Sequence, residues 1–316
     1  MQAWEWALEL RTELEEFWRS PVGQRFGQGW SNVRARKAGM PPIQDIELVK
    51  LPIAAPFYVT EEMTDLLTHA AQSFPETEFR PMDLPLEAGF VYFANPIPVI
   101  DINLKELHWR AFSWGTTYDE NGPWGVHLAF YDHRDDRTFA PYVEDEERYG
   151  LLDILPTLGM QHETQWTFGS TCRSEQRGGT IANKDKEIPE EARASGEQML
   201  ATVHAFWLLC WQRIGTPQNE RASRGVRRRA ERSFPGRPIP EVRVITLRRP
   251  KPPKEAGEEV NGGGREYTHR WWVDAYWRRT WYESEGRHKP QLVAGSVRGP
   301  KDKPLVLKDK VYLWRR

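Results

Sequence analysis

The sequence predicts an α+β fold, with an acidic α+β region at 1–188 and a basic module at 189–316 in which helices precede a small antiparallel sheet or barrel. Three observations lead there. Apolar residues recur at helical spacing near the N-terminus and again over 189–214. Short apolar runs bounded by glycine and proline fill 86–143 and the stretch beyond 240, which is the pattern of strands. Charge also divides along the chain: residues 1–200 carry 18 Lys+Arg against 33 Asp+Glu, whereas residues 201–316 carry 26 against 12.

The N-terminal helix follows from Trp4, Ala7, Leu8, Leu10, Leu14, Phe17 and Trp18, which fall near a helical period with glutamates between them; Pro21 and Gly23 close it. Gly39 and Pro41-Pro42 mark a turn in the mixed stretch 24–50. A second helix is expected over 60–73, with Thr60 as its N-cap and Glu61 and Glu62 at the positive end of its dipole. Strands follow at 89–93, 99–102, 110–115 and 125–131, and Asn121-Gly122 predicts a hairpin turn, so this region reads as an antiparallel sheet. Residues 172–198 are polar and looped at Gly178-Gly179. A long helix over 189–214 begins at Pro189 with Glu190 and Glu191 in its first turn, and ends at Gly215 and Pro217.

Thr216-Pro217 reads as the start of a basic helix over 217–234. Ala222, Val226, Ala230 and Phe234 form a thin apolar stripe on it, and Arg221, Arg224, Arg228 and Arg232 form another stripe. Residues 241–249 then read as a strand, and the Pro/Gly-rich PKPPKEAGEEVNGGG as a low-complexity loop. Tyr267–Tyr282 reads as one aromatic strand, with further strands at 291–297 and 305–314.

Composition excludes several classes. At 316 residues, 39% apolar and 28% charged, the chain has ordinary globular usage. Its longest unbroken apolar run, Ala205–Trp211, is too short to span a bilayer as a helix. The N-terminus carries Glu5 and Glu9 and no early basic residue, unlike a signal peptide. A cytoplasmic protein with no membrane partner is expected. Two cysteines, Cys172 and Cys210, suffice for neither a disulfide framework nor a Cys-based zinc site. No phosphate-cradling glycine loop, dinucleotide fingerprint, zincin helix or nucleophile elbow is present, so no cofactor is expected.

What remains is charge beside aromatic surface. Residues 221–254 hold twelve basic and two acidic side chains. On a single strand, Arg270, Trp272, Asp274, Tyr276 and Arg278 face one way while His269, Trp271, Val273, Ala275 and Trp277 face the core. Guanidinium groups bind phosphate through paired N–H donors, and rings stack on unpaired bases. The nucleic-acid set is therefore Arg221, Arg224, Arg228, Arg232, Arg270 and Arg278, with Trp272 and Tyr276 as stacking residues and DNA or RNA as partner. Two alternatives stand beside it. The acidic and basic regions could dock on each other, or the basic one on an acidic protein partner. A metal-independent ribonuclease of toxin type would draw its base, acid and cation from His269, Arg278, Arg279, Tyr282 and His288.

Other clusters are weaker. Asp132-His133-Arg134-Asp135-Asp136 has metal-ligating types but no metal-loop spacing, and reads as a solvated turn; Glu144–Glu147 reads as charged surface. His127 and His162 have no visible partner in the sequence.

The segments LPLEAGFVYFANPIPVID, RAFSWG at 110–115, the helix ending LLCWQRI, and HRWWVDAYWRRTWYESEGRHKPQLVAGSVRGPKDKPLVLKDKVYLW cover about half the chain. In them the chain resembles a family of uncharacterised actinobacterial and actinophage proteins. The resemblance implies a bacterial or phage origin, with defence or mobile-element biology by association, and no particular mechanism. The family pattern has Gly-His before Trp-Arg where this chain has Ala275-Tyr276, so a histidine at that position, were it catalytic in relatives, is missing here.

Overall fold

The structure, a computed structural model, describes residues 1–27, 43–133, 155–173, 188–247, 267–293, 295–300 and 303–306. The turn at Gly39–Pro42, the Asp135-Asp136 and Glu144–Glu147 clusters, the Gly178-Gly179 loop, the Pro/Gly-rich loop and residues 307–314 of the last expected strand lie outside them. The chain is α+β, as expected, and divides into two compact units at Leu247/Arg248 rather than near 188. The reason is packing. The long helix and the segment after it lie against the sheet of the first unit.

The first unit contains a seven-stranded mixed sheet, in the order β5-β4-β3-β2-β1-β7-β6. Its strands are β1 (Ala55–Val59), β2 (Ala88–Ile100), β3 (Glu106–Asp119), β4 (Gly122–His133), β5 (Leu158–Thr167), β6 (Gln218–Glu220) and β7 (Val242–Ile245). Strands β2 to β4 form the expected antiparallel sheet, and β5, which was not expected as a strand, pairs antiparallel with β4 at its edge. The β3–β4 turn has Gly122 at φ 118°, a left-handed value that glycine adopts without strain. The sheet continues beyond the antiparallel part, because β1 pairs in parallel with both β2 and β7. A strand in that central parallel position has both faces covered, which is why PFYV is apolar throughout and fully buried.

Helices cover the two faces. On one lie α1 (Trp6–Arg19), α2 (Ile43–Ile53) and α5 (Arg224–Ser233); on the other lie α3 (Glu61–Gln72) and α4 (Glu190–Cys210). The α4 side holds an aromatic core centred on Phe206, whose ring centroid lies 5.6 to 6.4 Å from those of Phe57, Phe93, Phe112 and Trp114. Trp114 reaches its place only because its strand partner is Gly89. A Cβ there would sit 2.0 Å from the Trp114 ring. From Met199 to Cys210 every residue of α4 is buried, which a one-faced stripe did not anticipate.

The region expected as a helix over 217–234 is split. Residues 218–220 extend as β6 and pair antiparallel with β7, and the helix begins only at Arg224, after the N-cap Ser223. Edge pairing with β7 satisfies backbone groups that the expected first turn would have left to solvent.

Both cysteines are buried and free. Burial pushes the Cys172 thiol up to about 11, and Cys210, deep in α4, is raised further by the same cause. Since the thiolate is the reactive form, neither is expected to react with a chromogenic disulfide reagent at neutral pH in the native protein. The titration should count none before unfolding and two after it.

In the second unit, 248–316, the expected single strand 267–282 is two strands in two sheets. Strand β8 (Arg270–Val273) lies between β11 (Ser296–Arg298) and β12 (Leu305–Val306), while β9 (Tyr276–Tyr282) forms a hairpin with β10 (Arg287–Val293). Val273 pairs with Ser296, but Tyr276 pairs with Val293, so the ladder is interrupted on both sides at one level. Gly295 permits the bend: a Cβ there would lie 2.6 Å from the Trp272 ring.

Candidate nucleic-acid interface

Helix α5 is short and strongly basic, and its arginines face in two directions. Val226 and Ala230 are buried, and Val226 belongs to the core on the α1 side. Arg229 turns toward α1, where it pairs with Glu9 and, at 3.6 Å each, with Glu13 and Glu16. Burial alone would lower the pKa of Arg229, but these glutamates hold it above its ordinary value. Just beyond the helix, Arg237 donates to Glu15 at 2.5 Å and lies over the Phe234 ring at 4.6 Å from its centroid. Part of the basic segment therefore docks on the acidic N-terminal helix inside one unit.

The other arginines do not. Arg221, Arg224, Arg228 and Arg232 are exposed and form no ion pair among the described residues. Arg224, Arg228 and Arg232 are spaced four apart, so their Cα atoms rise ~6 Å per step along one face. Two open depressions flank this face. One, of about 700 Å³, is lined by Gly225, Arg228, Glu231, Arg232 and Pro235. The other, of about 630 Å³, is lined by Arg221, Arg227, Glu231, Arg237 and Glu241 among others.

In the second unit, Trp272 and Tyr276 are exposed, as is Trp281. Arg270 donates its Nε–H to the Lys303 carbonyl at 2.9 Å, and Arg278 donates to Gln291 Oε1 at 3.0 Å and to Thr280 Oγ1 at 3.3 Å. These acceptors are neutral, so both guanidinium charges persist. Because β8 and β9 belong to different sheets, the alternation expected along one strand does not by itself put Arg270 and Trp272 on a face with Tyr276 and Arg278.

The ribonuclease set is divided. In the β9–β10 hairpin, Arg278 lies opposite Gln291 and Tyr282 opposite Arg287, on one face; Arg279 lies opposite Pro290 and His288 opposite Trp281, on the other. His288 packs its ring 5.2 Å from that of Trp281. His269 precedes β8 in the other sheet, with Nδ1 3.2 Å from Thr268 Oγ1 and its ring 6.1 Å from Trp271.

A second arrangement escaped sequence reading. Between α2 and the sheet lie Glu47, Lys50, Ser113, His127, Tyr131 and Glu163, all buried. Lys50 Nζ donates to Glu47 Oε1 at 2.5 Å and stands 3.1 Å from His127 Nδ1. An ammonium only donates, so His127 Nδ1 accepts, and the ring N–H is on Nε2, 3.2 Å from Glu163 Oε2. Tyr131 donates to the second Glu47 oxygen at 3.1 Å and lies 3.0 Å from Ser113 Oγ. Burial lowers the pKa of Lys50 and, with the Lys50 charge added, that of His127; burial beside Glu47 raises that of Tyr131. His127 thus has partners from α2 and β5 that its sequence neighbours do not disclose. The available signal was Glu47 and Lys50 three apart within the apolar run IELVKLPI, a helical spacing that sets both on one face.

Asp132 lies 3.7 Å from Arg110, and His133 Nε2 lies 3.1 Å from the Tyr92 hydroxyl. Among the described residues, no group of three or more His, Cys, Asp or Glu is placed to hold a metal ion, and no helix is long and apolar enough to cross a membrane. No protein-family model matches the chain, and no curated protein matches it in sequence.

Proposed function

We propose that the protein binds nucleic acid through the outer arginines of α5, with further contacts from the second unit. The carrying observation is the division of labour within one helix. Arg229 neutralises the α1 glutamates, while Arg224, Arg228 and Arg232 of the same helix, with Arg221 just before it, remain exposed without ion pairs among the described residues. Residues 1–247 carry 27 Lys+Arg against 36 Asp+Glu, so the basic character of that unit is local to this face. Residues 248–316 carry 17 against 9, and there Arg270 and Arg278 supply charge beside the exposed Trp272 and Tyr276.

The test is a salt titration of binding to labelled single- and double-stranded DNA and RNA, with the recovered strands run on a denaturing gel. If all six arginines neutralise phosphates, log K falls with log salt at a slope of about −5 for duplex DNA. A slope near zero defeats the phosphate reading. Shortened strands replace binding with cleavage as the activity.

A further inference from the structure

The depression between α5 and the segment 236–241 contains an arginine whose state nothing else in the fold explains. Arg227 is half-buried, and its Nε is buried without a hydrogen-bond partner. Among the described residues Arg227 makes no ion pair and no side-chain hydrogen bond, although Arg229, two residues on, has three carboxylates. A buried N–H left unmatched costs the desolvation of that donor, while the rest of the half-buried guanidinium keeps access to the depression. Such a group calls for an anion. The same depression brings Arg221 and Arg237 to its wall, and at about 630 Å³ it has room for a phosphate with part of the group it esterifies.

We propose that this depression is a phosphate subsite, with half-buried Arg227 as its anchor, Arg221 at its outer edge and Arg237 held in place by Glu15 and Phe234. The planar fork of Arg227 suits paired N–H contacts to phosphate oxygens. In assigning the phosphate to a polynucleotide backbone, the subsite rests on the nucleic-acid reading above; inorganic phosphate is the same chemistry from another source. Glu231 lines both this depression and its neighbour across the helix, and Glu241 lines this one, so two carboxylates oppose the bound anion. That opposition gives the proposal a gain-of-binding test as well as a loss.

The experiment measures the full chain against a labelled oligonucleotide by anisotropy across salt concentrations, and against inorganic phosphate by calorimetry. For Arg227→Ala the expected result is an approximately tenfold weaker oligonucleotide complex with a salt slope shallower by about one. Arg227→Lys should recover the slope but not the full affinity, since it returns charge without the fork. Glu231→Gln, at an exposed position where folding is not at stake, should tighten binding. Oligonucleotide binding that none of the three variants alters overturns the subsite and leaves the nucleic-acid reading standing. Arg227-dependent binding of inorganic phosphate with no oligonucleotide binding supports the subsite and defeats that reading. Wild-type protein that binds neither probe defeats both.

Discussion

Reversing two charges at once, Arg228→Glu with Arg232→Glu, is expected to weaken nucleic-acid binding by well over the effect of any single neutralisation. Each phosphate contact contributes ~0.9 to the salt slope on duplex DNA, so at ~0.1 M salt two lost contacts weaken binding on the order of 50-fold, and the new carboxylates add repulsion. The slope should become shallower by about two. Neither arginine has an ion-pair partner among the described residues, so folding should be unaffected, and the melting temperature provides the control. Arg229→Glu is the contrasting variant. It puts a carboxylate against Glu9, Glu13 and Glu16 and should lower the melting temperature instead. Exchanged outcomes, with Arg229 controlling binding and the outer pair controlling stability, would show that the helix presents the other face to its ligand.

The largest expected effect on stability comes from Lys50→Met. Removing one partner of a buried pair leaves the other charge uncompensated, and Glu47 has 0% exposure, so a loss of about 3–5 kcal/mol is expected. For a domain of this size that lowers the melting temperature by roughly 6–20 °C. Glu47→Leu added to Lys50→Met removes the stranded charge and should restore part of the loss. The cluster also predicts a pH trend. The folded pKa of His127 is depressed below its ordinary value of 6.5, so the unfolded chain binds the proton more readily. Its contribution is full above pH 6.5 and is lost as pH falls from there through the folded value. Lys50, also depressed from 10.5, acts in the same direction on the alkaline side, adding stability as pH rises from its folded value toward 10.5. Denaturant melts from pH 5 to 7 should therefore rise more steeply for the wild type than for His127→Gln. Equal slopes would remove His127 as the titrating group.

Several elements were legible because their causes are local. Helix α1 follows from the spacing of Leu8, Leu10, Leu14, Phe17 and Trp18, and α4 from an apolar run opened by Pro189 and two glutamates. The β3–β4 hairpin turn was legible in Asn121-Gly122, and the meander on either side in short apolar runs bounded by turn residues. Arg224, Arg228 and Arg232 lie exposed along the helix as expected, whereas Arg221 falls before it because the helix starts later than expected.

Other features arise only when distant segments meet. Strand β7 looked like part of a basic C-terminal module, yet it joins the first unit because β1, some 185 residues earlier, offers it a parallel partner. Glu47, His127 and Glu163 become one hydrogen-bonded cluster only when α2 packs on β2 and β3 and Lys50 reaches His127 of β4, which meets Glu163 of β5. The strand expected over Tyr267–Tyr282 divides because Gly295, on the opposing segment, allows the Trp272 ring to close over the bend.

By itself, then, the sequence determined the fold class, the main helices, the antiparallel meander and the concentration of arginine in residues 221–237. Tertiary structure decided what each arginine does. Arg227, Arg228 and Arg229 are chemically identical neighbours, but a helix turns each residue about 100° from the last. Arg227 therefore lines the depression beside 236–241 with its Nε buried, Arg228 is exposed on the outer face beside the other depression, and Arg229 meets the glutamates of α1.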